Sequence, residues 1–493
     1  MSFILAIDQG TTGTTSAIID IESFNIFAKQ NLEFPQIYPS PGLVEHDLDD
    51  IWNTVSKTIT ALLCKHNISP SEIKCIGITN QRETTCAFTK DARPLANAIV
   101  WQDRRTSEFC KSIKATEKSI QEKTGLPLDP YFSATKMRWL LKNVPLVKEA
   151  HRNKDLLFGT IDTFLLYKLT QSSSYKTEAS NASRTLLMNL ESGQWDEELL
   201  SLFEIDRENL PEICDSFFPF GVTKGLDFLP DGIPITGILG DQQAALFGQA
   251  GVNVGDTKCT YGTGAFLLFN TGSKIKRSTH GLLSTTAYQH NGKRCYALEG
   301  SCYIAGAAVQ WLRDNLSIID TSPDIETLAR QVKDLKEMEH LLFLPFFTGI
   351  GSPYWNPDAK AAITGITRDT NRSHLARACL DGIAFSINDL LHAMQNDTKI
   401  PISSLKVDGG AVQNELLLEI QATISNTTIA RPQIIETTAF GAALAAAVGS
   451  KIINFDSVAT VWKLDREFKK NKATVDFYKN KALQWEKLIK KLF

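Results

Sequence analysis

Two turns rich in glycine and threonine, one in each half of the chain, restrict the fold more than any other feature of the sequence. The first covers residues 8–15 and the second residues 261–264. The sequence pattern places the extended segments that flank them at residues 3–7, 16–20, 257–260 and 265–269. Glycine permits the tight backbone connection that a hairpin needs. The sequence therefore predicts two hairpins and an internal repeat that relates the halves of the chain.

Further segments place these hairpins in mixed sheets. A third extended segment is predicted near residues 26–34, a helix over 47–66 and a strand over 73–79. In the second half, a glycine turn at 405–410 precedes a helix that we expect to begin at about Gln413. This order of elements favours mixed α/β layers over a plain βαβ unit.

The length of 493 residues exceeds what one compact core accommodates, so two large domains are predicted. A cluster of glycines near the middle of the chain indicates a domain boundary: Gly248, Gly251 and Gly255. No low-complexity linker lies near them. We therefore predict an N-terminal domain over residues 1–250 and a C-terminal domain over residues 251–493.

The composition excludes several classes of protein. The net charge is −3 without a long basic run, so a nucleic-acid partner is not expected. The apolar run at the N-terminus is too short for a signal peptide, and the small apolar stretch at 439–449 is too short to span a membrane. The nine cysteines include no Cys-x-x-Cys pair, and the eight histidines show no metal-ligand spacing. We therefore predict a cytoplasmic protein with reduced thiols and no zinc site.

The first turn has the composition of a phosphate-binding loop. Its backbone N–H groups and threonine hydroxyls can donate to phosphate oxygens. Asp8 ends the preceding strand, and its carboxylate would repel phosphates unless Mg²⁺ lies between them, directly or through water. The alternative is a plain hairpin in which Asp8 only caps the turn.

A second acidic residue follows a strand that ends in glycine. Asp241 comes directly after Gly240, at the start of a predicted helix. A carboxylate in this position can accept the proton of an attacking hydroxyl, and the neighbouring Gln242 can hydrogen-bond a second hydroxyl. The alternative is an ordinary helix N-cap.

Charged and aromatic residues form a third group of candidates. Arg82 and Glu83 come just after the strand at 73–79, and Trp101 stands beside charged residues. An Arg fork and a carboxylate suit a polyol, because they offer several donors and acceptors in a fixed geometry. An indole ring can cover the carbon backbone of a small alcohol. The alternatives are a surface ion pair and a core tryptophan.

Long motifs occur in a fixed order along the chain. They are Asp8–Thr12, Asn80–Thr84, Tyr131–Leu140, Gly240–Gly248, Tyr261–Gly264, Gly365–Asp381 and Asp408–Ala411. With these motifs the chain resembles the FGGY carbohydrate kinases from Phe3 to about Gly449. The resemblance implies an α/β fold of the two-domain, actin-like ATPase (ribonuclease H-like) type, with internal duplication and a central interdomain cleft.

The resemblance also implies an activity and a set of site residues. A kinase of this family transfers the γ-phosphate of ATP, its co-substrate, to a small polyol in the presence of Mg²⁺; the motifs here imply glycerol as the polyol and a homo-oligomer, dimer or tetramer. The implied glycerol-binding residues are Arg82, Glu83, Trp101, Tyr131, Asp241, Gln242 and Phe266. The implied ATP-binding residues are Thr11, Thr12, Gly13, Thr263, Gly306, Gln310, Gly410 and Asn414. Asp241 is the implied catalytic base, and Asp8 and Asp241 are the implied metal ligands.

Two positions depart from the family pattern. Thr15 stands where relatives often carry a basic residue in the phosphate hairpin, and Asp103 stands where many members that act on glycerol carry cysteine. Because of Thr15, one expected contact to a phosphate group is not assigned. Because of Asp103, substrates other than glycerol stay among the alternatives. The alternatives are a family kinase for a pentulose or tetritol, an actin-like ATPase without a polyol pocket, and a binding protein without catalysis.

Overall fold

The computed structural model describes residues 1–493 and contains two large sheets flanked by helices. The strands of the first half are β1 (Phe3–Gln9), β2 (Gly13–Asp20), β3 (Ile26–Glu33), β4 (Glu45–His46), β5 (Ile73–Asn80), β6 (Cys86–Thr89), β7 (Ala98–Ile99), β8 (Leu156–Gly159), β9 (Lys176–Glu178), β10 (Met188–Asn189), β11 (Gln194–Trp195), β12 (Glu212–Cys214), β13 (Phe217–Val222) and β14 (Pro234–Gly240). Its helices are α1 (Leu48–His66), α2 (Ser107–Ser112), α3 (Glu117–Thr124), α4 (Ser133–Asn143), α5 (Pro145–Arg152), α6 (Ile161–Leu169), α7 (Ala179–Ala182), α8 (Glu197–Phe203) and α9 (Asp241–Gly248).

The second half has fewer strands and longer helices. Its strands are β15 (Thr257–Tyr261), β16 (Ala265–Gly272), β17 (Leu283–His290), β18 (Lys293–Cys302), β19 (Leu342–Leu344), β20 (Ala362–Thr364), β21 (Ser404–Asp408), β22 (Thr428–Pro432) and β23 (Leu464–Phe468). Its helices are α10 (Gly306–Asp314), α11 (Asp324–Ala329), α12 (Arg372–Thr398), α13 (Glu415–Ser425), α14 (Thr437–Gly449), α15 (Val458–Val461) and α16 (Val475–Leu492).

The two large sheets repeat one strand pattern, which confirms the predicted internal duplication. Their strand orders are β13-β14-β5-β1-β2-β3 and β17-β18-β16-β15-β21-β22-β23. In each sheet a hairpin, β1–β2 or β15–β16, pairs antiparallel with a third strand, β3 or β18. The first hairpin strand also begins a parallel run, β1-β5-β14 or β15-β21-β22. An antiparallel strand, β13 or β23, closes each run.

Local sequence signals account for most element ends. The predicted helix over 47–66 is α1, and the Asp47 carboxylate caps it by accepting the N–H groups of Asp49 and Asp50. The helix expected from about Gln413 is α13, which begins at Glu415. Residues 410–413 form a 3₁₀ turn instead, because Asn414 is the N-cap of α13 and its side chain accepts the N–H of Leu417 at 2.9 Å.

Side chains of β1 alternate between two cores. Phe3, Leu5 and Ile7 face the core that contains α1, whereas Ile4 and Ala6 face the core that contains α14. The first sheet is therefore covered on one face by its own half of the chain and on the other by a helix of the second half.

Helices α9 and α14 each pack against the sheet of the other half of the chain. Each follows the last strand of a parallel run, and the two pack against each other. Helix α14 lies on β14, β5 and β1 of the first sheet, whereas α9 also contacts β15 and β16 of the second. Residues 437–449 thus complete the core of the first half. The proposed boundary between residues 250 and 251 stays a prediction.

Glycine allows α14 to approach its neighbours closely. A Cβ atom on Gly77 of β5 would lie 2.0 Å from the carbonyl oxygen of Ala442, and one on Gly441 would lie 1.8 Å from that of Ala244. No side chain fits in these spaces, so the contact is made backbone to backbone.

We expect Gly441→Ala to lower the free energy of unfolding by about 2 kcal/mol, because the added methyl overpacks the contact with α9. Alanine is the better helix former by about 1 kcal/mol, so a net loss shows that the clash outweighs helix propensity. Urea denaturation of the protein without ligands measures the effect. Gly410→Ala is the matched control, since a Cβ there meets nothing within 4 Å; equal stability of the two variants would contradict the prediction.

Candidate active site

The three candidate acidic and basic segments of the first half end at one edge of the first sheet. Asp8 pairs with Thr79, and Asn80 pairs with Gly240, in a parallel register. The carboxyl ends of β1, β5 and β14 therefore lie side by side, and the residues that follow them share one cleft. Ligands of open parallel sheets bind at this edge.

The tip of the first hairpin is held by side chains that the sequence did not reveal as part of the site. The N–H of Gly10 donates to the carbonyl of Gly13 at 2.9 Å. Gln81 Nε2 donates to the carbonyl oxygen of Gly10 and to Gln9 Oε1, both at 3.1 Å. His46 Nδ1 lies 3.3 Å from the same amide nitrogen, and burial lowers the pKa of His46 to about 4, so its imidazole is neutral and can accept.

Arg82 is the centre of a buried group of charges. Its Nε lies 3.1 Å from Asp241 Oδ1, and its Nη1 and Nη2 donate to the two oxygens of Glu299 at 2.6 and 2.8 Å. Arg184 Nε donates to Glu83 Oε1 at 2.6 Å, and its Nη2 donates to Glu299 Oε1 at 3.2 Å. Arg82 and Glu83 are 3% and 1% exposed, so the alternative of a surface ion pair is wrong.

Glu299 joins the two halves of the chain electrostatically. It lies on β18 of the second sheet, whereas both of its guanidinium partners belong to the first half. Burial alone would raise the pKa of Glu299, but Arg184 and Arg82 outweigh burial and lower it to about 2. The sequence signal for Glu299 was a single carboxylate in the otherwise uncharged run of residues 295–302.

Asp241 is the first residue of α9, and Gly240 occupies the N-cap, so the alternative that Asp241 is the N-cap is wrong. Asp241 Oδ1 accepts the backbone N–H of Gln242 at 2.7 Å. Its side chain keeps 30% of its surface exposed, in contrast to the buried Arg82 beside it. The carboxylate is therefore oriented by the protein and open to the cleft.

Two of the predicted glycerol-binding side chains pack together as an aromatic wall. The rings of Trp101 and Tyr131 meet edge to face, with centroids 5.5 Å apart and planes at 75°. Trp101 Nε1 donates to Thr11 Oγ1 at 3.0 Å, which ties the aromatic wall to the tip of the first hairpin. Phe266 lies on β16 in register with Thr260, and its place in the pocket stays a prediction.

A cavity of about 490 Å³ opens between the second sheet and α10, α12 and α13. Five of the predicted ATP-binding residues line it: Thr263, Gly306, Gln310, Gly410 and Asn414. Apolar side chains, among them Val309, Ile325, Leu380 and Leu417, form the rest of its wall together with polar groups. Thr11, Thr12 and Gly13 lie outside this cavity, on the hairpin of the first half.

Asp8 faces other carboxylates. Burial, and then the negative charges of Asp241 and Glu436, raise the pKa of Asp8 to about 8. Lys29 forms an ion pair with Glu436, whereas Asp8 has no such partner. The edge of the sheet is thus locally rich in negative charge.

The two residues that depart from the family pattern are bound by hydrogen bonds within the protein. Asp103 is 1% exposed, and its carboxylate accepts the N–H of Val44 at 2.7 Å and three donors of Arg105 at 2.7–2.9 Å. Its oxygens are saturated within the protein, so Asp103 organises the loop that contains it. Thr15 Oγ1 accepts from Asn31 Nδ2 at 2.9 Å.

The chain is similar to proteins of one family along its length. The N-terminal domain of the FGGY family of carbohydrate kinases matches residues 3–248, and the C-terminal domain of that family matches residues 257–450. The glycerol kinase of Bdellovibrio bacteriovorus is 48% identical over 496 residues, which cover 100% of this chain and 99% of that protein. The glycerol kinase of Desulforamulus reducens is 47% identical and covers 99% of this chain and 97% of its own length.

Solved structures share the fold. Plasmodium falciparum glycerol kinase with ADP has a TM-score of 0.91 at 37% identity, with 100% of this chain and 98% of that chain covered. Gluconate kinase from Lactobacillus acidophilus has a TM-score of 0.87 at 22% identity, with 100% and 98% covered, and shows the common fold alone. None of the helices combines the length and apolar character that crossing a membrane requires.

We expect Glu299→Gln to lower the free energy of unfolding by about 3–5 kcal/mol, because it removes a buried carboxylate that accepts from both Arg82 and Arg184 and leaves their donors facing a neutral amide. Denaturant unfolding measures this loss. Glu486→Gln removes an exposed partner of Lys490 and serves as the control, which we expect to unfold close to the wild type. A Glu299→Gln protein as stable as this control would show that the buried network contributes little.

Proposed function

The chain belongs to the FGGY family of carbohydrate kinases, and we propose that it transfers the γ-phosphate of ATP to glycerol, giving sn-glycerol 3-phosphate and ADP. The observation that carries this proposal is the 3.1 Å approach of Arg82 to the partly exposed Asp241 at the edge of the first sheet. The full-length similarity to glycerol kinases of two bacteria supports glycerol as the alcohol.

Asp241 is the general base of this proposal. A hydroxyl that attacks phosphorus loses its proton, and a positioned carboxylate that receives it accelerates the reaction by roughly 10²–10⁴-fold. The contact with Arg82 and the N–H of Gln242 fix the direction of the carboxylate, while its exposed part stays available to the substrate. Glu83, Trp101, Tyr131 and Phe266 complete the proposed glycerol pocket together with these residues.

The two Gly/Thr hairpins receive the phosphates in this proposal. Thr11, Thr12 and Gly13 act from the first half, and Thr263 acts from the second, next to the cavity of about 490 Å³ that would take the nucleoside. Phosphoryl transfer depends mainly on positioning and charge neutralisation. Closure of the halves over the cleft would exclude water and prevent hydrolysis of ATP.

The residues around Asp8 fit a magnesium ion. The negative charges of Asp241 and Glu436 act on the buried Asp8 there, and Mg²⁺ is commonly held by one or two carboxylates together with substrate phosphates. Asp8 and Asp241 would hold the ion, directly or through water. When bound, it neutralises charge on the transferring phosphoryl group.

Two further parts of the proposal rest on the family resemblance. They are a cytoplasmic location and a homo-oligomeric state, dimer or tetramer.

With ATP and Mg²⁺, we expect glycerol to give the highest kcat/KM in a panel of glycerol, erythritol, xylulose and ribulose. The aromatic wall of Trp101 and Tyr131 leaves little room for a longer carbon chain. A coupled assay of ADP release measures the panel. A kcat/KM that is tenfold or more higher for a pentulose would show that glycerol is not the preferred substrate. The family assignment would be unaffected.

We expect Asp241→Asn to reduce kcat by roughly 10²–10⁴-fold, because the amide keeps the size of the side chain and removes its basicity. Binding of glycerol should weaken far less. The exposed Asp476→Asn, in the first turn of α16, is the matched control and should keep wild-type kcat. If Asp241→Asn retains more than about a tenth of wild-type turnover, another group accepts the proton.

A further inference from the structure

A lysine without an exposed surface lies beside the proposed base. Lys258 lies on β15, three residues before the second Gly/Thr turn begins at Tyr261, and is 0% exposed. Its ammonium donates to Gln242 Oε1 at 2.6 Å and to Thr260 Oγ1 at 2.8 Å. Burial lowers the pKa of Lys258, and the negative charges of Asp408 and Asp241 oppose that shift without forming an ion pair with it.

The chemistry of an ammonium group fixes the direction of the amide that it contacts. Lysine carries three donors and no acceptor, so Gln242 must turn its oxygen toward Lys258. A glutamine amide without such a partner presents either its oxygen or its NH₂ group to a ligand, at little difference in shape. Here the choice is made by a neighbour that only donates.

The other end of the Gln242 amide is left for a ligand. Its Nε2 has no acceptor within the protein and is not sealed from solvent, although the residue as a whole is 7% exposed. Gln242 follows Asp241 in the first turn of α9, so the free NH₂ group and the exposed carboxylate belong to the same cleft. One offers donors, and the other offers acceptors.

We propose that Lys258 is a positioning residue that holds Gln242 as an obligate hydrogen-bond donor to the alcohol substrate. This inference rests on the proposed function. A hydroxyl group both donates and accepts, so one hydroxyl of the alcohol gives its proton to Asp241 while the oxygen of a neighbouring hydroxyl accepts from Gln242. The pair of residues thereby sets which hydroxyl meets the base. Lys258 acts from the second half of the chain on a residue of the first, and it touches no reacting atom.

A double-mutant cycle tests this role. The proteins are wild type, Lys258→Met, Gln242→Met and the double variant, assayed by ADP release with the alcohol that the wild type uses best. That choice keeps the test separate from the identity of the substrate, since a wrong acceptor would appear as a different preferred alcohol in the wild type. Exposed Lys479→Met is the matched control and should behave as wild type.

We expect each single variant to raise the KM of the alcohol about tenfold, with kcat within about threefold of wild type and the KM of ATP unchanged. The double variant should be about as impaired as either single variant, because Lys258 acts through Gln242. Additive losses, or an alcohol KM within about twofold of wild type for Lys258→Met, would overturn the proposal.

A second substitution keeps the test decisive if Lys258→Met does not fold, which thermal unfolding reports. Lys258→Gln retains an N–H donor that can face Gln242 Oε1, and it should raise the alcohol KM less than the loss of Gln242 does. The same cycle built on Lys258→Gln and Gln242→Met should again be non-additive. A purely structural lysine would lower the unfolding temperature without this separation of the alcohol KM from kcat.

Discussion

The fold depends on the close contact between α9 and α14. Each helix leaves the sheet of one half and packs where the halves meet, so neither sheet is fully covered without the other half of the chain. Glycine at positions 77 and 441 makes the approach possible, since backbone lies where side chains would clash. Asp241 is the first residue of α9, and this contact therefore sets the position of the proposed base relative to both sheets.

The polyol side of the cleft is built on alternating buried charges. Arg82 is held by Glu299 and Asp241, and Glu83 is held by Arg184. Each charge has a partner of opposite sign, which offsets the cost of removing it from water. A rigid network of this kind presents donors and acceptors to a small alcohol in one geometry. The side chains proposed to recognise the substrate are then held as firmly as buried core residues.

Local patterns in the sequence predicted the hairpins, the strand that ends before Asp241 and the duplicated α/β fold, because each depends on neighbouring residues. The residues that the sequence missed are placed by long-range pairing. Lys258 and Glu299 contact first-half residues from the second half, and Arg184 contacts Glu83 from 101 positions further along the chain. No spacing pattern in the sequence indicates these contacts. In the sequence, the Ala-rich segment 437–449 is only a short apolar stretch. Its packing on the first sheet depends on glycines that face it there, and the sequence pattern does not predict that contact. The shift of the helix predicted at Gln413 has a local cause, the N-cap, which the sequence contained.

The hydrogen bond from Trp101 to Thr11 makes one indole serve two tasks. Its ring packs against Tyr131 in the proposed alcohol pocket, and its N–H donates to a hydroxyl at the tip of the first hairpin, the proposed phosphate site. Enlarging the acceptor pocket by replacing this tryptophan therefore also frees the hairpin. To accept a larger alcohol, the pocket is better enlarged at Tyr131, whose ring contacts the indole without a hydrogen bond to the hairpin. Where Trp101 is retained, the shape of the proposed alcohol pocket and the position of the hairpin stay coupled.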